Sequence, residues 1–216
     1  DPKNIVRPVT LNVRKAFAEK KRFDFIAPGV MMITLMLVTM LISASSVVGE
    51  RRSGTMVRTV LAPRPISLFI IEKVIFLLGL CAVQLALMLI AVALFGVYFS
   101  FSLGLLTALA IASLTFVALG ILIGSLSKTE NTALLTTLVL AIPMMFLSGV
   151  FFNFEAMPYF MNILGNLSPL TMCISLLEQI VTYGIGLSAT TSLTLIVISV
   201  LAIGISIPLL KKSAVV

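Results

Sequence analysis

The basic stretch "GERRSGTMVRTVLAPRP", residues 49–65, separates two long apolar runs of the chain. It contains four arginines and ends in two closely spaced prolines. An arginine held at the centre of a bilayer costs about 2.5 to 3.5 kcal/mol on insertion scales. If the runs on either side cross a membrane, this stretch must therefore lie at the membrane surface.

The composition predicts that the flanking apolar runs cross a membrane, because the 216 residues are 60% hydrophobic and only 11% charged. Five apolar runs are long enough, at about 1.5 Å per helical residue, to cross a hydrocarbon core of about 30 Å. They cover residues 26–48, 74–98, 103–126, 132–152 and 187–210. We predict an all-α, polytopic membrane helical bundle with five spans. A water-soluble core is excluded, since such runs leave no polar face for solvent.

The short basic segments orient the bundle, because cytoplasmic loops carry an excess of Lys and Arg. Residues 49–65, the turn at Lys128 and the C-terminus are therefore expected in the cytoplasm. Residues 153–186 carry only two charges, both acidic, and are expected outside. We expect a multi-pass protein of the cell membrane.

Residues 1–24 conflict with this orientation, since five spans place them outside although basic residues outnumber acidic ones there. Long extracytoplasmic domains cross the membrane largely regardless of charge. We therefore expect residues 1–24 to be the end of such a domain, with a further span upstream. The chain begins at Asp1, and we expect this terminus to be truncated or processed.

A short amphipathic helix is expected within residues 49–65. Gly54 permits a sharp turn, Thr55 can cap the first helical turn, and Pro63 ends the helix. The apolar positions fall on one side: Met56, Val57, Val60 and Leu61. Such a helix, held between two spans, can transmit force from a cytoplasmic partner. The alternative is a plain positively charged loop, which explains the arginines but not the cap and the proline stop.

Residues 153–186 are too apolar for an ordinary exposed loop. Four residues break them into pieces too short to span: Asn153, Pro158, Gly165 and Pro169. We expect short re-entrant helices that dip into the outer leaflet and return. Glu155 and Glu178 are either solvated helix ends or parts of a substrate gate.

Several positions inside the spans carry packing signals. Gly120 and Gly124 have the spacing of a close helix contact. Three methionines recur every four residues on one helix face: Met32, Met36 and Met40. They indicate either packing against a neighbouring helix or an adaptable surface for varied substrates.

Three further polar or thiol side chains lie in apolar stretches. Gln84 is expected to bond to a neighbouring helix. Cys81 and Cys173 are expected at opposite sides of the membrane, too far apart for a disulfide, and to serve as packing residues. The spans hold no Asp, Glu, Lys or Arg at mid-depth, so a proton relay has no carrier.

Four stretches resemble the membrane subunit of ABC-2 type ABC transporters, a family that contains drug, polysaccharide and lipid exporters. They are "FIAPGVMM" (25–32), "GERRSGTMVRTVLAPRPISLFIIEK" (49–73), "SKTENTALLTTLVLAIPMMFLSGVFF" (127–152) and "MPYFMNILGNLSPLT" (157–171). The resemblance runs from about Phe25 to the C-terminus. It implies a transmembrane domain over residues 25–216 and six spans in the intact protein, with residues 1–24 ending a domain between the first two.

The resemblance also implies roles for individual residues. Contact with an ATP-binding subunit would fall on the 49–65 coupling loop and its surroundings: Glu50, Arg51, Arg52, Gly54, Thr55, Arg58, Pro63, Lys73 and, in a secondary contact, Lys128. An outer gate would fall around the re-entrant segment 153–186: Phe146, Gly149, Glu155, Pro158 and Pro169. The chain departs from the family pattern at three positions: Pro65, Glu72 and Asn153.

The sequence contains no Gly-Lys-Ser/Thr phosphate loop, so we expect ATP to be bound by a partner and this chain to hold no cofactor, metal or catalytic residue. The resulting hypothesis is the permease subunit of an ABC exporter that moves a hydrophobic or amphipathic drug, lipid or polymer outward. Its expected partners are an ABC ATP-binding subunit, a second permease chain, identical or related, and membrane lipids, but no nucleic acid.

Two other classes of protein remain as alternatives. If the chain were an intramembrane enzyme, it would have no histidine to serve as a general base or metal ligand. The chain also has no Gly-x-Ser-x-Gly motif. Its Ser/Lys cluster, Ser125, Ser127 and Lys128, lies in the expected cytoplasmic turn. A structural or scaffold membrane protein would share the same composition.

Overall fold

The computed structural model describes residues 22–53, 66–94, 102–151, 158–181 and 188–214. Within these ranges the chain forms seven α-helices and no strand. The helices are α1 (Arg22–Arg52), α2 (Ile66–Leu94), α3 (Leu103–Leu126), α4 (Glu130–Leu147), α5 (Tyr159–Leu167), α6 (Pro169–Val181) and α7 (Ala189–Ala214). The predicted all-α bundle is confirmed.

Among the described residues, five helices are long and apolar enough to cross a membrane. The candidate spans are Ala27–Arg52, Leu68–Leu94, Leu103–Leu126, Glu130–Leu147 and Ala189–Leu210. The two short helices α5 and α6 lie between the last two spans and meet at 76°. The bend falls at Ser168, whose backbone is extended because a residue that precedes proline disfavours the helical region.

Helix α3 is central, since it packs against α1 on one side and α7 on the other. Helices α1 and α3 are mostly buried, whereas α2 and α4 expose most of their residues. The three repeated methionines, Met32, Met36 and Met40, are almost fully buried in the core. This burial supports the interpretation that the three methionines pack against neighbouring helices.

The glycines of α3 bring its backbone against α1. A Cβ atom at Gly120 would lie 2.6 Å from Ser43 Cβ and 2.9 Å from the Met40 carbonyl oxygen. At Gly124 it would lie 2.7 Å from the Ala44 carbonyl oxygen. The Gly-x-x-x-Gly spacing therefore marks a helix contact that a larger residue would not allow.

Several helix ends differ from the expected limits; α2, for example, begins at Ile66 instead of residue 74. Helix α1 continues through Arg52, so that Glu50, Arg51 and Arg52 are helical instead of lying in a loop. Helix α4 ends at Leu147, before the expected limit at residue 152. It stops there because Gly149 has a φ of 83°, the left-handed conformation that commonly follows a helix C-terminus.

Candidate functional site

Four helix ends meet on one side of the bundle, where α1 and α3 finish and α2 and α4 begin. We call this region the arginine end and define it by Glu50, Arg51, Lys73 and Ser127. Three residues that the sequence assigned to an ATPase contact, Glu50, Arg51 and Lys73, are brought together here. Their side chains make contacts within the bundle.

Arg51 joins the end of α1 to the end of α3. Its Nη1 donates to the carbonyl oxygen of Ser127 at 2.9 Å, and its Nη2 donates to that of Ser125 at 3.1 Å. The last four carbonyls of a helix have no partner within the helix, and a cation there also interacts favourably with the helix dipole. The planar fork of the guanidinium can serve two such carbonyls at once.

Glu50 joins the end of α1 to the start of α2 through an ion pair with Lys73. The Lys73 side chain is only 8% exposed and that of Glu50 is 28% exposed. The Lys73 ammonium also lies 5.8 Å from the centre of the Phe76 ring. Because the pair is largely shielded from water, loss of either partner would leave the other charge poorly solvated.

The other residues assigned to the ATPase contact divide into two groups. Arg52 and Lys128 are exposed at the arginine end. Gly54, Thr55, Arg58 and Pro63 lie outside the described residues, so the predicted amphipathic helix stays a prediction. The sequence did not indicate the role of the Ser125 and Ser127 carbonyls, because a backbone acceptor leaves no mark in the residue pattern.

Two predicted gate residues, Phe146 and Gly149, lie at the opposite end of α4. The half-exposed ring of Phe146 lies 5.9 Å from the ring of Phe151, tilted by 44°. Gly149 forms the turn between them. Pro158 is the N-cap of α5 and Pro169 is the first residue of α6, a position that tolerates proline. Glu155 lies outside the described residues.

The turn after α4 also contacts the start of α1, which the sequence did not indicate. A Cβ atom at Gly29 would lie 2.5 Å from a methyl group of Val150. Helix α6 packs against α1 and α3, with Leu170 and Cys173 fully buried. Helix α1 therefore links the arginine end to the region of the predicted gate.

The described charged side chains of the arginine end make contacts between helix ends. In the described ranges no group of three or more His, Cys, Asp or Glu side chains could hold a metal ion. The charged groups of the arginine end instead hold helix ends in place. Exposed Arg52 and Lys128 leave positive charge at its surface.

Comparison with known proteins places the chain in a family. No curated protein and no solved structure is found to match it. The sequence model described as ABC-2 family transporter protein matches residues 3–207, and it begins well before Phe25, where the resemblance was expected to start. The chain therefore belongs to the ABC-2 transporter family.

Proposed function

We propose that this ABC transporter permease exports a hydrophobic or amphipathic substrate, driven by ATP hydrolysis in a separate subunit that docks at the arginine end. The family is one of transporter membrane subunits and implies partnership with an ABC ATP-binding subunit. In this proposal the arginine end and the C-terminus face the cytoplasm, and the protein lies in the cell membrane. Membership in a transporter family favours this function over an intramembrane enzyme or a scaffold.

The observation that carries the proposal is the pair of contacts that fixes the end of α1. The ion pair of Glu50 with Lys73 connects α1 to α2, and the two hydrogen bonds of Arg51 connect α1 to α3. A partner that displaces residues 49–65 would therefore move three helices together. We propose that Arg51 and Lys73 pass that movement on inside the bundle.

Direct docking falls on the exposed cations Arg52 and Lys128 and on residues 54–65. The side chains of Arg52 and Lys128 are both exposed. Opposite charge on a partner surface would speed association and orient the partner. We propose an acidic or hydrogen-bonding surface of the ATP-binding subunit as that partner.

At the other end, movement of α1 would reach the turn at Val150 and the buried helix α6. Phe146, Gly149, Glu155, Pro158 and Pro169 are proposed to border the outer opening. Two permease chains, identical or related, would pair about a twofold axis, the commonest symmetry of oligomers, and dock two ATP-binding subunits. Membrane lipids would surround the pair.

Co-purification tests the docking. We expect Arg52→Glu combined with Lys128→Glu to reduce the amount of bound ATP-binding subunit about tenfold or more, because like charges facing each other cost several kcal/mol. Tyr159→Glu is the matched control, since it adds a carboxylate at a residue 83% exposed at the opposite end. If the double variant retains the ATP-binding subunit as fully as the control does, docking does not use these two cations.

A further inference from the structure

A cavity of about 460 Å³ lies between α1 and α2, away from the arginine end. Its wall carries five polar or thiol side chains: Thr34, Thr39, Ser43, Cys81 and Gln84. The other lining residues are all apolar, and no lining residue is charged. Cavities of about 300 to 1,000 Å³ with a few placed polar groups are typical binding sites for small molecules.

Hydrogen bonds across the cavity use only part of the capacity of Gln84. Its Nε2 donates to the Thr34 carbonyl oxygen at 3.2 Å, and its Oε1 accepts from the Thr39 hydroxyl at 3.3 Å. A glutamine amide has two donor hydrogens and two acceptor lone pairs. Within the described part of the chain, one donor and one acceptor of Gln84 are thus unused, and this side chain is partly exposed.

Two other polar residues of the wall, Thr39 and Ser43, are buried. The Ser43 side chain lies against Gly120 of α3 and is fully buried, so a ligand in the open cavity would bond to Gln84 instead. The Thr39 hydroxyl shares a 3.3 Å hydrogen bond with the Cys81 thiol. Leaving a polar group unsatisfied in a hydrocarbon environment costs several kcal/mol.

The cavity opens towards the side of the bundle. Five large apolar side chains that line it are exposed: Val38, Ile42, Leu80, Val83 and Leu87. In a bilayer these side chains would face lipid, so a molecule dissolved in the membrane could reach Gln84 without crossing the aqueous surface.

We propose that this cavity binds a neutral amphipathic molecule taken up sideways from the bilayer. A hydroxyl or amide group of the ligand bonds to the unused donor and acceptor of Gln84, and its apolar body lies among the aliphatic side chains of α1 and α2. The ligand is neutral because a charged group would have no counterion here and would be costly at this depth. Binding stands on the cavity alone, whereas a role as the loading site for transport rests on the proposed function.

Photolabelling tests the binding. The probes are a long-chain alcohol that carries a diazirine and the matched diazirine hydrocarbon without the hydroxyl, used on the full chain in lipid nanodiscs with its co-purifying partners. We expect the alcohol to label the cavity-lining residues of α1 and α2 several-fold more than the hydrocarbon does. Peptide mass spectrometry locates the adducts.

Variants link the labelling to the polar groups. Gln84→Leu should reduce labelling by the alcohol about fivefold, which corresponds to the loss of one hydrogen bond of about 1 kcal/mol. Gln179→Leu, the same change in α6, should leave it unchanged. Gln84→Met, which keeps the length of the side chain but removes the amide, should reduce it to the same extent and serves if Gln84→Leu lowers the melting temperature. Equal labelling by the two probes, or equal labelling of the variants and the control, would overturn the proposal.

Another transmembrane helix seated in the cavity would keep both probes from these residues, and that result would also overturn the proposal. ATP and Mg²⁺ added to the intact transporter separate two sources of the ligand. Labelling that falls during hydrolysis identifies a transported molecule, and constant labelling identifies a resident membrane lipid. Labelling needs no ATP. If the ATP-binding subunit turned out not to dock at the arginine end, the labelling result would therefore still test the cavity.

Discussion

Gly120 and Gly124 show how single residues set the separation of the two central helices. Their missing side chains allow the backbone of α3 to touch Met40 and Ala44 of α1. Gly79, in α2, faces open space instead. The spacing of glycines in the sequence predicted a close contact, but it did not identify α1 as the partner, because a spacing specifies only one of the two surfaces.

Gly120→Ala should destabilise the protein by about 1 to 3 kcal/mol, because the added carbon would meet a backbone carbonyl that can move only with its helix. Thermal unfolding in detergent measures the effect. Gly79→Ala is the matched control: nothing lies within 4 Å of its Cβ position, and alanine favours a helix more than glycine does. Equal melting temperatures of the two variants would contradict this account of the contact.

At the scale of helices, the arginine end holds three of them together through two different contacts. Arg51 serves two carbonyls at the end of α3, and Glu50 pairs with Lys73 of α2. The apolar runs predicted the helices themselves, since length and hydropathy are properties of each run alone. The inward direction of Arg51 depends on where α3 ends in space, which no local pattern contains.

Arg51→Ala should destabilise the protein by about 2 kcal/mol, because two charge-assisted hydrogen bonds are lost from a partly exposed group. Arg51→Lys keeps the charge but not the planar fork that serves both carbonyls. Its melting temperature should therefore lie between that of the unchanged protein and that of Arg51→Ala. Arg52→Ala removes an exposed neighbour and should change stability by less than about 0.5 kcal/mol. If Arg51→Ala and Arg52→Ala melt alike, Arg51 does not hold α3.

The ion pair of Glu50 with Lys73 is tested by exchanging its charges. Glu50→Gln and Lys73→Met should each lower stability, by about 3 kcal/mol when a charge is left buried without its partner. The double variant Glu50→Lys with Lys73→Glu should recover part of that loss in thermal unfolding. Glu130→Gln, at an exposed glutamate in the first turn of α4, should have a much smaller effect. Failure of the double variant to improve on Glu50→Lys alone would show that the pair contributes no specific attraction.

For the molecule as a whole, the distribution of charge is the strongest guide to orientation. The exposed or paired cations Arg51, Arg52, Lys73 and Lys128 all lie at the arginine end. The sequence predicted this clustering because each basic segment lies next to the end of an apolar run. It did not predict the cavity between α1 and α2, since Thr39 and Ser43 lie in one apolar run and Gln84 lies in another, and only the packing of the helices brings the two runs together.

The proposed function requires that the arginine end faces the cytoplasm, where ATP is hydrolysed. The most direct measurement is labelling of Lys128→Cys by a membrane-impermeant maleimide in sealed right-side-out and inverted vesicles, with Tyr159→Cys at the opposite end as the control. The native Cys81 and Cys173 are buried and should not react. We expect Lys128→Cys to react only in inverted vesicles and Tyr159→Cys only in right-side-out vesicles. Labelling of Lys128→Cys in right-side-out vesicles would show that the arginine end faces the exterior and that an ATP-binding subunit in the cytoplasm cannot dock there.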